Sequence, residues 1–145
     1  MCMDFHKICS CGREEVSFMF RDEVMPTEVI DRLYCPSCSQ GLAFDDASMV
    51  NDNGWVIKYD MDVAKFAAVK LPKAEVTPEF IFDRGYCTWR GMYPHDHLDS
   101  AREREKLVEL SRVNPKKYLE EFKKWGIERV DGLEREGWRK AHAGQ

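Results

Sequence analysis

Two closely spaced pairs of cysteines constrain this chain more than any other feature of its sequence. Cys9 and Cys11 are followed by a glycine, and Cys35 and Cys38 enclose a proline. Glycine and proline favour tight backbone turns, and such turns direct two neighbouring thiols toward one point. Four thiolates complete a tetrahedral shell around Zn²⁺, with each sulfur about 2.3 Å from the ion. The spacing therefore predicts a zinc site that has these four cysteines as its ligands and holds the N-terminal segment together.

The segment between the two pairs has the pattern of a β-structure. Val16, Phe18 and Phe20 occupy alternate positions, which indicates a strand with one buried face. Residues 29–34 lead back to the second pair as a returning strand or a short helix. A strand, a turn and a strand between two cysteine turns resemble the zinc-ribbon superfamily over residues 9–38. This resemblance implies an N-terminal β-hairpin module, placed at residues 1–45, that is stapled by a structural metal.

The first cysteine pair departs from the usual zinc-ribbon spacing. One residue separates Cys9 from Cys11, whereas that superfamily normally has two residues between its ligands. Cys2 or His6 is therefore an alternative for one of the four ligands, and His6 is itself separated from Cys9 by two residues. Sites of four cysteines also hold a single iron or a two-iron cluster. Zinc is the predicted metal, and iron is the alternative.

Composition narrows the class of protein. Hydrophobic residues make up 43% of the chain and charged residues 33%, which argues against a disordered chain. No apolar run approaches the roughly 20 residues that span a bilayer, and the N-terminus lacks the apolar stretch of a secretory signal. We expect a cytoplasmic protein without a membrane segment, whose thiols stay reduced. The oligomeric state is left open.

Charge varies along the chain and bears on nucleic-acid binding. Residues 1–45 carry four basic against eight acidic residues, whereas residues 98–145 carry twelve basic against ten acidic. A nucleic-acid module is basic where it meets phosphate, but the predicted metal module is the most acidic part of this chain. A zinc ion held by four thiolates adds two further negative charges. The charge pattern therefore disfavours nucleic acid as a partner.

Residues 46–145 are predicted to be a mixed, mostly helical region. The polar turn at 51–54 is the strongest break in the sequence, so the boundary between the two parts is placed after residue 45. Predicted helix starts are Asp62, Thr77, Ser100 and Asn114, with a helix end at Gly126 before a final helix. Together with the N-terminal hairpin, these elements predict a mixed α+β fold.

A second group of chemically active residues occurs in residues 87–99. Cys87, His95, His97 and Asp99 lie there among three aromatic residues. In an extended segment, His95, His97 and Asp99 would face one side and could share a metal ion with open coordination positions. Cys87 with either histidine could also form a thiol–imidazole pair. The simpler interpretation is a loop that leads into a helix, with Asp99 or Ser100 as its cap.

Three functions compete on this evidence. A saturated shell of four thiolates leaves no position for a substrate or water, which favours a zinc-binding module that contacts another protein. A nucleic-acid-binding zinc ribbon is the second candidate. The third is a metal- or thiol-dependent enzyme that uses Cys87, His95, His97 and Asp99. The sequence favours a binding protein over an enzyme.

Overall fold

The structure is a computed structural model that describes residues 3–71 and 75–143. It has a mixed α+β fold, as the sequence predicts. The chain divides into two compact units between Arg90 and Gly91. No helix within the described residues is long and apolar enough to cross a membrane. The boundary predicted after residue 45 is not tested by this division and stays a prediction.

The first unit contains a three-stranded antiparallel sheet with the order β1-β2-β6. Its strands are β1 (Met3–Ile8), β2 (Glu15–Phe20) and the short β6 (Thr88–Trp89). Val16, Phe18 and Phe20 on β2 are all fully buried, as predicted, but Ser17 on the opposite face is buried as well, so β2 is not a strand with a single buried face. Phe18 lies opposite Trp89 in the register, and their rings pack against each other.

A second antiparallel sheet in the same unit has the order β3-β5-β4. Its strands are β3 (Ile30–Tyr34), β4 (Met49–Asp52) and β5 (Trp55–Tyr59). The break predicted at 51–54 is the tight turn of the β4–β5 hairpin, where Asn53 and Gly54 both have positive φ. Strand β3 lies before the predicted boundary at residue 45, and it pairs with β5 beyond that boundary.

The hairpin expected between the two cysteine pairs takes a different form. β2 and β3 do not pair with each other, because β2 lies between β1 and β6 while β3 pairs with β5. The segment between them contains two short 3₁₀ turns, Arg21–Glu23 and Thr27–Val29. The cysteine pairs therefore belong to two different sheets and not to the two ends of one hairpin.

The described part of the first unit also contains three short α-helices: α1 (Pro36–Ser39), α2 (Met61–Ala67) and α3 (Pro78–Asp83). The cap of α2 is Asp60, two residues before the predicted Asp62. Thr77 caps α3 as predicted, since its hydroxyl accepts the Phe80 N–H at 3.1 Å. Trp89 lies at the centre of the core, where its indole N–H donates to the buried Asp52 carboxylate at 2.7 Å.

In its described residues, 91–143, the second unit has three helices: α4 (Asp96–Val113), α5 (Pro115–Glu136) and α6 (Arg139–Ala143). Asn114 caps α5 as predicted, but α4 begins at Asp96, four residues before the predicted Ser100. The predicted end at Gly126 is wrong. α5 continues through that glycine to Gly137, whose left-handed conformation ends the helix.

Candidate metal centre

The first cysteine pair lies in the turn that joins β1 to β2. The Cys9 N–H donates to the Glu14 carbonyl at 2.9 Å, and the Gly12 N–H donates to the Cys9 carbonyl at 2.9 Å. Gly12 has a φ of 77°, a conformation that glycine adopts without steric cost. The turn residue noted in the sequence therefore closes the loop that directs Cys9 and Cys11 to one side.

The second pair lies where β3 leads into α1. Cys35 is the N-cap residue of this short helix, Pro36 occupies its first turn, and Cys38 lies within it. One helical turn brings the Cys38 thiol back over Cys35, because residues three apart lie on the same face. The Ser39 hydroxyl donates to the Gly54 carbonyl at 2.7 Å and anchors the helix to the β4–β5 turn.

The two turns meet at a backbone hydrogen bond in which the Ser10 N–H donates to the Leu33 carbonyl at 3.1 Å. All four sulfur atoms then lie within 4.8 Å of one another. The Cys11 and Cys35 sulfurs are 3.9 Å apart, close to the roughly 3.8 Å edge of a tetrahedron with 2.3 Å arms. The Cys9 and Cys11 sulfurs are closer, at 2.7 Å, and this edge must widen by about 1 Å around a zinc ion.

Burial sets the access of an ion to the thiols, and burial and hydrogen bonding together set the pKa of the Cys9 thiol. Cys9 and Cys35 are buried, whereas Cys11 and Cys38 are partly exposed, so an ion can reach the group from one side. Burial by itself raises the pKa of the Cys9 thiol. Hydrogen bonds with the Cys11 thiol and with neighbouring backbone groups outweigh that effect and lower the pKa from 9.0 to about 6. The donor set and its separations fit a tetrahedral thiolate-binding ion.

The alternative ligands occupy other positions. His6 lies on β1 opposite Ser17, and its Nδ1 is 3.1 Å from the Ser17 hydroxyl and 3.5 Å from the Glu15 carboxylate. Cys2 lies outside the described residues. Within residues 3–71 and 75–143, the four cysteines are the one group of three or more His, Cys, Asp or Glu that could hold a metal ion.

The second predicted cluster is divided between the two units. Cys87 is fully buried in the first unit, where the Tyr59 hydroxyl donates to its backbone carbonyl at 2.7 Å. Burial raises the pKa of its thiol well above 9.0, which keeps the thiol protonated at neutral pH. A buried, protonated thiol is a poor nucleophile, so Cys87 lacks the chemical character that a thiol catalyst requires.

His95, His97 and Asp99 belong to the start of α4 in the second unit. The simpler interpretation, a loop that leads into a helix, agrees with the structure, although the helix begins at Asp96 and its N-cap residue is His95 instead of Asp99 or Ser100. Residues two apart on a helix point about 200° apart, so alternation no longer brings these side chains to one side. Asp99 instead accepts a hydrogen bond from the Tyr93 hydroxyl at 2.8 Å. Burial, together with the nearby Asp99 carboxylate, raises the Tyr93 pKa.

An ion pair beside this segment joins a buried carboxylate to a half-buried arginine, and no pattern in the sequence predicts it. Arg129 on α5 pairs with Asp96 at the first position of α4, and the same carboxylate accepts the Met92 N–H at 2.7 Å. A Cβ atom at Gly91 would lie 2.5 Å from that carboxylate, so only glycine fits there. The two residues of the pair are 33 positions apart, and no local pattern connects them.

Comparisons with known proteins found no relative of this chain. No protein-family model matches the chain, and no curated protein or solved structure is significantly similar to it. The resemblance of residues 9–38 to zinc ribbons therefore identifies no family. The structure shows a cluster of four cysteine thiols whose geometry is compatible with metal binding.

Proposed function

We propose that this protein binds one Zn²⁺ ion through Cys9, Cys11, Cys35 and Cys38, and that the ion has a structural role. The observation that carries the proposal is the convergence of four thiols from two separate turns within 4.8 Å of one another. Zinc has no geometric preference from its d electrons, so it tolerates the unequal spacing of the two pairs. Four protein ligands leave no coordination position for a substrate.

The position of the group suggests what the ion does. The first pair follows β1 in one sheet, and the second pair follows β3 in the other. A zinc ion would thus join the two sheets of the first unit by coordination, next to the backbone hydrogen bond between Ser10 and Leu33. A cross-link of this kind stabilises the folded unit by restricting the unfolded chain.

We further propose that the protein acts through contacts with another protein and not through catalysis. The metal segment is acidic, which disfavours phosphate ligands, and a closed thiolate shell supports no reaction at the metal. The first unit also exposes Phe66, near the end of α2, and Val69, in the 3₁₀ turn Ala68–Lys70 that follows it. Exposed large apolar residues on one face are typical of protein-binding surfaces.

Metal analysis of the purified chain tests the proposal. Inductively coupled plasma mass spectrometry should find one zinc per chain, and the visible absorption spectrum should lack the bands of iron or of an iron–sulfur cluster. Substitution of Cys35→Ser together with Cys38→Ser should abolish zinc binding. Cys87→Ser is the matched control, because it removes a buried thiol outside the group and should leave the zinc content unchanged. Zinc retained by the double variant would overturn the assignment.

Four further variants decide the ligand set. His6→Ala and Cys2→Ser should each retain one zinc per chain, whereas Cys9→Ser and Cys11→Ser should each lose it. If His6→Ala or Cys2→Ser loses zinc while Cys9→Ser or Cys11→Ser retains it, then His6 or Cys2 is a ligand in place of one of the four proposed cysteines.

Nucleic-acid binding is tested separately by fluorescence anisotropy with labelled DNA and RNA at low salt. The proposal expects no binding. Binding of DNA or RNA with an affinity that falls steeply as the salt concentration rises would contradict the protein-binding role and support a nucleic-acid role.

A further inference from the structure

The longest helix, α5, carries an apolar stripe that is exposed over most of its length in the folded chain. Leu119, Phe122, Gly126, Val130 and Leu133 follow one another at intervals of three or four residues, and they lie within about 80° of one another around the helix. Leu133 is buried, but Leu119 is 66% exposed, Phe122 39% and Val130 37%. Such a stripe normally packs against another element.

Few residues of the helical hairpin formed by α4 and α5 are buried from solvent. Asp96 and Ser100 are the buried residues of α4, and Leu133 is the buried residue of α5. Phe122 is nevertheless held in place, since its ring packs between those of Tyr118 and Trp125 at centroid distances of 5.7 and 5.6 Å. An aromatic side chain fixed in this way costs little entropy to bury and is suited to anchor an interface.

The stripe is symmetric along the helix. Phe122 and Val130 lie four residues to either side of Gly126, and Leu119 and Leu133 lie seven residues to either side. A side chain at Gly126 would meet nothing within 4 Å, so the space beside it is open. A glycine at the midpoint of an exposed apolar stripe allows a second helix to approach closely.

Charge on α5 reverses about the same midpoint. Residues 115–124 contain four lysines against two glutamates, whereas residues 127–136 contain four acidic residues against two arginines. This order opposes the helix dipole, which favours acidic residues at the start of a helix and basic residues at its end. Each half of α5 would instead be complemented by the opposite half of an antiparallel copy.

We propose that α5 is a homodimer interface, in which the stripe of one chain packs antiparallel against the stripe of a second copy around Gly126. Lys116 and Glu134 are 18 residues, or five helical turns, apart, so they lie on the same side of the stripe. In the antiparallel pair, the positions of Lys116 in one chain and Glu134 in the other are about 3 Å apart along the helix axis. The two are about 27 Å apart within one helix, so they can pair only between chains.

Analytical ultracentrifugation of the zinc-loaded chain from about 1 to 200 µM tests this interface, a range that brackets the affinity of a small interface. The 17.0 kDa chain should sediment as a dimer at the upper concentrations. Phe122→Glu should raise the dissociation constant about 100-fold, because each dimer loses two buried aromatic side chains and gains two buried charges. Val113→Glu is the matched control, since Val113 is an exposed apolar residue of α4 outside the stripe.

A charge exchange makes the test independent of whether Phe122→Glu folds. Lys116→Glu and Glu134→Lys should each weaken the dimer, and the double variant should restore it. Gly126→Ala should raise the melting temperature but weaken the dimer, whereas Gly132→Ala should raise the melting temperature alone. A chain that stays monomeric at 200 µM would overturn the proposal, as would an unrestored double variant or equal weakening by Val113→Glu.

Discussion

Removal of one metal ligand should remove a large and calculable part of the stability of the first unit. The substitution Cys35→Ser deletes one of the four sulfurs, and we expect the remaining three to release the ion, which opens the link between the two sheets. Cys11 and Cys35 are 24 positions apart, so the ion closes a loop of about 25 residues. In the chain-entropy description of a cross-link, closing a loop of this length raises the free energy of unfolding by about 3.5 kcal/mol.

This free energy translates into a shift of the melting temperature. The first unit has about 90 residues, and for a domain of this size 1 kcal/mol corresponds to about 4–8 °C. Loss of the link should therefore lower the melting temperature of this unit by roughly 15–30 °C. By binding linkage, the same stabilisation of the unsubstituted chain requires free zinc at about 400 times its dissociation constant.

Differential scanning calorimetry at several buffered zinc concentrations measures the effect. The transition of the first unit should rise with zinc in the unsubstituted chain and should not respond to zinc in Cys35→Ser. Cys87→Ser is the control for a buried thiol. It should lower the transition by a similar amount with and without zinc, because its new hydroxyl is buried away from the ion. A melting temperature of the unsubstituted chain that does not depend on zinc would refute the structural role of the metal.

Three further predictions concern single residues. Cys87 should resist iodoacetamide in the folded chain, as read by peptide mass spectrometry. Its raised pKa also implies stability that is present below pH 9.0 and is lost at higher pH, because the unfolded thiol then ionises more readily. Arg129→Met should destabilise the chain by about 3–5 kcal/mol in urea unfolding, since it leaves the buried Asp96 carboxylate without its cation, and Arg129→Lys should cost less. Asn114→Ala should cost about 1 kcal/mol in the same assay through loss of the cap of α5.

Features encoded by neighbouring residues were predictable from the sequence. The caps Thr77 and Asn114 act on backbone groups three residues away, so a short motif contains the whole interaction. The turns at Cys9–Cys11 and Cys35–Cys38 are equally local, and the glycine and proline that form them are visible in the sequence. The α+β class followed from the same local patterns of alternation and capping.

Features that depend on distant residues were not predictable. β2 pairs with β6, about 70 positions further along the chain, and nothing in the pattern of either strand specifies that partner. The helix α5 passes through Gly126 and Gly132, although each glycine costs about 1 kcal/mol relative to alanine. The capping box at Ser100 was misleading for a related reason. Asp96 starts the helix one turn earlier, where Arg129 on another helix pairs with it.

The separation of the two cysteine pairs into different sheets changes the role expected of the metal. In a small metal domain that has little core of its own, folding depends on the ion. Here β2 already pairs with β1 and β6, and β3 already pairs with β5. Each sheet has its own backbone hydrogen bonds without the ion, and Trp89 of β6 also reaches the Asp52 carboxylate of β4 in the other sheet. The contribution of the metal should therefore lie in fixing one sheet against the other, so its removal should loosen the junction at Ser10 and Leu33 before either sheet separates into strands.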